Sequence, residues 1–339
     1  MFAIDDILDP LNKLLADNCS PAVVREVEAG GSADGLWHML VDSGFLDALV
    51  PEEQGGAGLA LSNISPLLEL AGRYVLPLPF SETMVARALL ARASIERPEG
   101  PIILVTAQSA AGEGILARAV PYGTVAQWAL VDQGETISLL SVAAAKSDPT
   151  GGHHSLSSDL FWRGGTEPVA TFACPSAGLW SMAATLRACE IAGMVEAVLD
   201  MTVRYSGERS QFGKTISKLQ AIQQQLAVAA EQVLMAQMGA AIGCSGGLDG
   251  SLTLAAIGKH AASISASVVA ATAHAVHGAM GMSAEYDLQL YTRRLYEWRF
   301  ANGSESYWSG LIGQERVAAG GMTTVDFLKD HAAAMEKMA

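Results

Sequence analysis

Long alanine-rich stretches in the second half of the chain constrain its fold more than any other feature of the sequence. They cover residues 180–206, 215–243 and 251–280, and their apolar residues recur with helical spacing. The second and third stretches carry too few charges to solvate two faces of a helix, so each must pack on more than one side. The pattern predicts a C-terminal helical bundle at residues 173–339, in a chain that associates with other subunits rather than remaining monomeric.

The rest of the chain divides into two regions of different character. Residues 1–97 show helical spacing around a turn, VPEEQGGAGL, and we predict an N-terminal helical domain there. Residues 98–172 contain short apolar runs such as IILVTA, WALV and TISLLSVAA, which predict a small middle β domain. A chain of 339 residues that is 50% apolar can bury a core of this extent.

The composition excludes several kinds of function. A formal net charge of -14 leaves no broad basic surface for nucleic acid. The sequence has no uninterrupted apolar run of about 18 residues, so we expect no membrane span. Its acidic start has no targeting pattern, so we place the protein in the cytoplasm. The cysteines form no CxxC pair and predict buried thiols, with neither a disulfide framework nor a metal site: Cys19, Cys174, Cys189 and Cys244.

One local basic segment stands out against this acidity. The stretch RYSGERSQFGKTISKLQAIQQQLA, residues 204–227, carries Arg209, Lys214 and Lys218 at the head of a predicted helix. A guanidinium offers a planar fork of donors to phosphate oxygens, and a helix N-terminus adds oriented N–H groups, so the segment suits a phosphate-bearing ligand. Alternatively, the cations are a solvated helix start. In both interpretations the apolar residues behind them form a core-facing stripe: Leu219, Ile222, Leu226 and Val233.

Three stretches of the chain together resemble one family, the acyl-CoA dehydrogenases. RSQFGKTISKLQAIQQQLA is similar to the family's Arg-x-x-Phe-Gly-Lys helix entry, LWHMLVDSGFLDALVPEEQGGAGL to its N-terminal helix and Pro-Glu-Glu-x-Gly-Gly turn, and AVHGAMGMSAEYDLQLYTRR to its C-terminal Gly-rich segment. These flavoproteins desaturate acyl-CoA thioesters between the α and β carbons. The resemblance spans most of the chain and implies the family fold: an N-terminal α-helical domain, a small middle β domain and a C-terminal four-helix bundle. It also implies FAD as cofactor and an electron-transfer flavoprotein as electron acceptor.

The resemblance assigns cofactor contacts to the basic segment. In this family the matching Arg and Phe contact the FAD bound in the neighbouring subunit, across the dimer interface. The resemblance therefore implies that Arg209 holds the pyrophosphate and Gln211 donates nearby. It also implies that Phe212 packs on the flavin or the ribose and that Gln220 faces the adenine side.

The Gly-rich segment matches the family less well, because Ala275 stands where the family usually has Gln. Gly278 and Gly281 still allow close backbone approach to a phosphate or ribose. His277 is either a further cofactor ligand or a structural residue between two helices.

Desaturation needs a base that removes the α proton while a hydride passes from the β carbon to the flavin. In most of the family the base is the Glu of a Glu-Gly-Thr stretch, and Asn302 of FANGSES occupies the matching position. A minority places the base on the helix before the Arg-x-x-Phe-Gly motif, where this chain has Ala183. Glu190 and Glu305 could each be a displaced base, but a shift of several ångströms would spoil the geometry. We therefore expect no catalytic base in this chain, with Glu305 as the fallback.

The β region points in the same direction. The family's Thr-Glu-Pro segment is not found before the sheet, and the region is short for the full sheet, so the sheet looks trimmed on the flavin side. The chain thus resembles the shortened, non-catalytic subunit of a heteromeric acyl-CoA dehydrogenase, of the kind associated with CoA thioesters of steroid side chains. A partner chain would supply the base and the isoalloxazine pocket in an α2β2 assembly. The alternatives are a self-sufficient homo-oligomeric dehydrogenase with a displaced base, and a flavin-free scaffold protein of the same fold.

Overall fold

The structure, a computed structural model, describes residues 5–110, 114–327 and 329. Helices come first in the chain, short strands follow from Ile102 to Ala173, and long helices occupy the remainder. The predicted fold class, an acyl-CoA dehydrogenase-like order of helical domain, small β domain and C-terminal bundle, is confirmed.

Five helices form the N-terminal part: α1 Asp5–Asn18, α2 Pro21–Glu28, α3 Asp34–Asp42, α4 Leu61–Arg73 and α5 Phe80–Arg92. Local sequence explains where α2 begins, because the Ser20 side chain accepts a hydrogen bond from the Val23 N–H and Pro21 occupies the first turn. The turn between α3 and α4 requires a glycine at position 56. A Cβ there would lie 2.1 Å from the Val50 carbonyl oxygen.

Outside residues 111–113, the middle part contains eight strands: β1 Ile102–Thr106, β2 Gln108–Ala110, β3 Gly114–Val120, β4 Trp128–Asp132, β5 Thr136–Ser141, β6 Lys146–Pro149, β7 Ser158–Arg163 and β8 Ala170–Ala173. They form two four-stranded sheets, ordered β1-β4-β5-β8 and β2-β3-β7-β6. The β1–β4 pair is parallel and the other pairs are antiparallel. Residues of β1 and β4 are almost all buried, as expected for a sheet covered on both faces.

Between Gly178 and Ala318, the C-terminal part contains five α-helices and a small hairpin. The helices are α6 Gly178–Glu208, α7 Gln220–Cys244, α8 Leu252–His277, α9 Leu288–Phe300 and α10 Glu305–Ala318, and the hairpin pairs β9 Ser210–Gln211 with β10 Lys214–Thr215. The three long helices α6, α7 and α8 pack against one another, α4 covers α6, and α10 covers α8.

Glycines set how closely these helices approach. A Cβ at Gly72 of α4 would lie 1.8 Å from the Glu190 carbonyl oxygen, and a Cβ at Gly193 of α6 would lie 1.8 Å from the Glu69 carbonyl oxygen. The two helices therefore cross in direct backbone contact. The crossing fixes α6, and with it the hairpin that follows α6.

The outward face of α7 is apolar. Val228, Leu234 and Met238 are exposed in the single chain, although α7 carries one charged residue in 25 positions, Glu231. On length and composition alone, α7 and the segment Leu252–Met282 could each cross a membrane. Both instead pack into the bundle, and core helices of soluble bundles have the same composition, so this observation is weak evidence for a membrane.

Two expectations from the sequence need correction. Of the predicted core stripe, Val233 is buried, but Leu219, Ile222 and Leu226 are only half-buried, because residues 220–228 at the start of α7 lie largely in solvent in the described chain. The cysteines are also closer than their spacing indicated: the Sγ atoms of Cys189 and Cys244 lie 3.3 Å apart, as free thiols between α6 and α7. Cys19 is buried as expected, whereas Cys174 is half-buried.

Candidate cofactor-binding and active site

A tight hairpin carries the centre of the basic segment. Phe212 and Gly213 join β9 to β10 with φ of 52° and 77°. Positive φ at both positions is the turn geometry that matches the twist of a hairpin, but it is strained for a phenylalanine. The Phe212 side chain is nevertheless 89% exposed. An aromatic ring held in a strained turn and left in solvent is expected where another molecule is contacted.

Three cations lie near this turn without partners of their own. The side chains of Arg209, Lys214 and Lys218 are exposed, and none forms an ion pair or hydrogen bond with a described residue. The backbone of Arg209 is fixed, because its N–H donates to the Tyr205 carbonyl at 2.9 Å and its carbonyl accepts from the Ile216 N–H at 2.9 Å. The backbone of Arg209 is thus anchored, while its guanidinium has no partner among the described residues.

The two glutamines of the predicted contact set are also exposed. Gln211 lies in β9, and Gln220 is the first residue of α7. The structure therefore brings the Phe212 ring, free cations and amides, and a helix start onto one outward-facing segment. This arrangement suits an anion that carries a flat ring, bound from outside the chain.

The Gly-rich segment forms a short 3-10 helix, Gly278–Met282, directly after α8. Gly278 has φ 57° and no atom near the position a Cβ would take, so its backbone is open to a ligand. Gly281 is buried, and a Cβ there would lie 3.1 Å from the Leu288 side chain. Of the two predicted glycines, Gly278 is placed for close approach and Gly281 for packing.

His277 is enclosed by its own chain. The ring is buried and stacks on Tyr205 with centroids 4.3 Å apart. Its Nδ1 lies 2.8 Å from the Ala273 carbonyl oxygen and its Nε2 lies 3.2 Å from the Tyr286 hydroxyl. Burial lowers the pKa of the imidazole. Both ring nitrogens have partners, which favours the structural alternative for His277 over the ligand role.

Asn302 lies in a rigid turn between α9 and α10. It has φ 55° and is followed by Gly303 with φ 96°. Its carbonyl accepts from Trp308 Nε1 at 3.0 Å, and the Gly303 carbonyl accepts from Lys259 Nζ at 3.0 Å. Lys259 is fully buried, and burial lowers the pKa of its amine to about 7. The backbone at the predicted base position is thus firmly held, but the Asn302 amide cannot accept an α proton.

A small cavity of about 150 Å³ borders this turn, between the ends of β1 and β3, the first turn of α6 and the chain after α9. Two polar atoms of its lining residues, Asn302 Oδ1 and Trp180 Nε1, are buried without a hydrogen-bond partner among the described residues. Neither group is an acid or a base at neutral pH. The cavity can therefore orient a polar group by hydrogen bonding but cannot exchange a proton with it.

The fallback base Glu305 is held in an ion pair. Its carboxylate accepts from Arg299 Nε at 3.1 Å and also contacts Arg299 Nη2. Hydrogen bonding from Arg299 lowers the pKa of Glu305. A carboxylate whose charged form is stabilised in this way is a weak base.

The other carboxylate, Glu190, belongs to a buried ionic cluster. Arg187 donates from Nη1 to Glu190 at 2.6 Å and from Nη2 to Glu82 at 2.6 Å, and its guanidinium lies 4.1 Å from the centroid of the Trp298 ring. Burial raises the pKa of Glu190. Glu190 is absent from the lining of the cavity beside Asn302. Ala183, at the alternative base position, is buried and carries no functional group.

Proteins of similar sequence indicate the family of this chain. Residues 181–315 match the family model described as the acyl-CoA dehydrogenase C-terminal domain. Acyl-CoA dehydrogenase IpdE2 of Mycobacterium tuberculosis is 32% identical over 293 residues, which cover 84% of this chain and 87% of the relative. The chain belongs to the acyl-CoA dehydrogenase family.

Solved structures of the same fold include two complexes. The ChsE4-ChsE5 complex from Mycobacterium tuberculosis superposes with a TM-score of 0.79 at 21% identity, covering 95% of this chain and 99% of the other. A variant of the steroid ACAD (acyl-CoA dehydrogenase) Tcur3481-Tcur3483 gives 0.79 at 22% identity, covering 94% and 100%. At these identities the likeness shows the fold.

Sequence reasoning missed the buried charges around the site. Lys259 clamps the Asn302 turn, and Arg187 with Glu82 and Glu190 fills the space between α5 and α6. A signal for Lys259 was present, since it is the single Lys, Arg, Asp or Glu in residues 251–280. A charge alone in a long apolar stretch indicates a buried, partnered group.

Proposed function

We propose that this chain is the non-catalytic subunit of a heteromeric, FAD-dependent acyl-CoA dehydrogenase. The observation that carries the proposal is an outward-facing Arg209–Phe212 hairpin, together with Asn302 and Ala183 at the two positions predicted for the base. The chain retains what a neighbouring subunit's cofactor would contact. Of the carboxylates in the described residues that could replace the base, Glu190 and Glu305 are both held in ion pairs.

The residues of the hairpin fit the pyrophosphate and ring system of FAD. Arg209 would bind the pyrophosphate, Phe212 would pack on the flavin or ribose, and Gln211 and Gln220 would donate to the remaining polar atoms. Their position on an outward-facing hairpin and at the exposed start of α7 supports binding of a cofactor across a subunit interface. FAD supplies the acceptor for the hydride that leaves the substrate's β carbon.

The α proton would be removed by a Glu of the partner chain. In this chain Trp308 and Lys259 hold the backbone of the Asn302 turn, and the Asn302 side-chain amide has no proton-accepting function. Glu305 is neutralised by Arg299. The residues of this chain would therefore bind and orient the cofactor, and a Glu of the partner chain would remove the α proton.

The apolar outward face of α7 and the two solved complexes of the same fold support a heteromeric assembly, which we propose to be α2β2 and cytoplasmic. The substrate proposed is an acyl-CoA with a bulky steroid-derived acyl group, because one neighbour of the same fold is a steroid ACAD. An electron-transfer flavoprotein would take the electrons.

The decisive experiment compares the chain alone with the chain co-expressed with candidate partners of the same family. We expect the isolated chain to be colourless and a co-purified complex to show a flavin spectrum and dehydrogenase activity. A full flavin complement and turnover in the isolated chain would instead establish a self-sufficient enzyme.

A further inference from the structure

Two cysteine thiols face each other between the packed helices α6 and α7. The Sγ atoms of Cys189 and Cys244 lie 3.3 Å apart, and both residues are fully buried. Both are free thiols in the structure. Neither belongs to the hairpin or to the positions predicted for the base, so the pair is a reactive group that the proposed function leaves unused.

The close approach of the two helices brings these thiols together. Gly243, next to Cys244 on α7, lies so near α6 that a Cβ there would be 3.1 Å from Thr185 Cγ2, and Thr185 stands one turn before Cys189. A disulfide bond is about 2.05 Å long, so the two sulfurs need to close by roughly 1.3 Å. Because the helices are already packed together, we expect side-chain rotation to supply this distance.

The surroundings of the two sulfurs differ in a way that gives each a separate part in oxidation. The hydrogen bond with Cys244, burial, and the nearby carboxylates of Glu69 and Glu190 raise the pKa of the Cys189 thiol well above its usual value. Cys189 therefore keeps its proton at neutral pH and is placed to donate it toward the Cys244 sulfur. Cys244 is thus the sulfur that an oxidant meets first, with Cys189 beside it as the resolving thiol.

Access to Cys244 is through the C-terminal end of α7. Cys244 is the last residue of that helix, and the loop that follows contains Gly246, Gly247 and Gly250. Helix ends open locally at a lower free-energy cost than the whole fold, and glycines gain the most backbone entropy on opening. Such an opening exposes Cys244 to a small, uncharged oxidant such as hydrogen peroxide.

We propose that Cys189 and Cys244 are a redox modification site, at which a peroxide converts the two thiols into a disulfide that joins α6 to α7. The Cys244 sulfur attacks one peroxide oxygen, the O–O bond breaks, and a sulfenic acid and water form. The Cys189 sulfur then attacks the Cys244 sulfur, the S–O bond breaks, and the hydroxyl leaves as a second water with the Cys189 proton. Two thiols are oxidised and one peroxide is reduced to two waters. This inference goes beyond the proposed function and does not depend on it.

The disulfide would join the two helices on either side of the β9–β10 hairpin. The cysteines are 55 positions apart, and the chain between them contains the rest of α6, the hairpin and most of α7. A cross-link over a span of this length restricts the unfolded chain, and we expect the Tm to rise by roughly 3–10 °C. In a reducing compartment the pair stays as thiols, so the disulfide is a response to peroxide rather than a permanent part of the fold.

The test exposes the purified, reduced full-length chain to millimolar hydrogen peroxide overnight without denaturant. Digestion under non-reducing conditions should yield a peptide in which Cys189 is joined to Cys244, lighter by two hydrogen atoms than the sum of the two reduced peptides. The Tm should rise on treatment, and dithiothreitol should reverse both changes. Cys189→Ala should abolish the cross-link and the rise in Tm. Cys174→Ala removes a half-buried cysteine outside the pair and is the matched control, which should retain both.

Three results would overturn the proposal. They are peroxide-treated wild type without the Cys189–Cys244 peptide, a cross-link that forms only when denaturant is present, and sulfinic acid at Cys244 with Cys189 left as a thiol. The peptide map is made on the wild-type chain, so it does not depend on the folding of any variant. Peroxide also oxidises methionines, and the change in Tm of treated Cys189→Ala measures that separate effect. A rise in Tm that Cys189→Ala shares would likewise contradict the cross-link between α6 and α7.

Discussion

Arg209 is the residue on which the proposed cofactor contact most depends. Its guanidinium has no partner in the described chain, so Arg209→Ala should not disturb the fold. In the complex it should cost about 1.5–3 kcal/mol of FAD binding, or about ten- to a hundredfold in affinity, because a charge-assisted phosphate contact is lost. The fraction of flavin that the complex retains on dilution measures this loss of affinity. Arg163→Ala, an exposed arginine in the β domain, is the control, and equal retention in both variants would show Arg209 to be a surface charge.

Phe212 offers a test in which one substitution should maintain or raise thermal stability and yet lower flavin binding. Its φ of 52° is unfavourable for a side chain, so Phe212→Gly should relieve strain in the hairpin and leave thermal stability equal or higher. If the ring packs on the cofactor, the same variant should lower flavin occupancy of the complex severalfold. A rise in stability with unchanged flavin content would assign Phe212 no part in cofactor binding.

Glu305 distinguishes the non-catalytic subunit from a self-sufficient enzyme. Arg299 lowers its pKa and holds the carboxylate, so we expect Glu305→Gln to leave turnover of the assembled complex within a few-fold of wild type. Removal of a true general base costs on the order of a hundred- to ten-thousandfold. Turnover is measured after flavin content is matched, and a collapse of that size would make this chain the enzyme.

At the scale of elements, the crossing of α4 and α6 positions the hairpin. Gly193→Ala would place a methyl group within 1.8 Å of the Glu69 carbonyl oxygen, and backbone cannot move aside as a side chain can. We expect a loss of about 1–3 kcal/mol or more in the free energy of unfolding, by overpacking. Denaturant unfolding measures it, with Gly207→Ala as the control because a Cβ there meets nothing within 4 Å. Equal stability of the two variants would mean that the helices can separate without cost.

For the whole molecule, sequence predicted the features that are local and missed those that require three dimensions. The Arg209–Phe212 motif, the strand region and the long helices follow from adjacent residues and their periodicity. The Cys189–Cys244 contact and the Arg187 cluster join residues that are 55 and 105 positions apart, which periodicity does not reveal. The half-exposed Ile222 and Leu226 show the reverse error, because an apolar stripe marks a buried face without saying which chain buries it.

The apolar outward face of α7 leads to the prediction for the whole assembly. Leu234 and Met238 lie one turn apart on the outer face of α7 and are 61% and 67% exposed, so a second subunit must cover them if the helix is to avoid water. We expect light scattering of the wild-type chain to show association, and the double variant Leu234→Glu with Met238→Glu to lower the mass and abolish capture of the partner. Two charges buried in an apolar interface without counter-ions cost several kcal/mol. Val169→Glu, which alters a residue 66% exposed in the loop before β8, is the control and should leave assembly unchanged. A wild-type chain that remains monomeric both alone and with its partner would contradict the interface, and with it the route by which Arg209 and Phe212 could reach another subunit's cofactor.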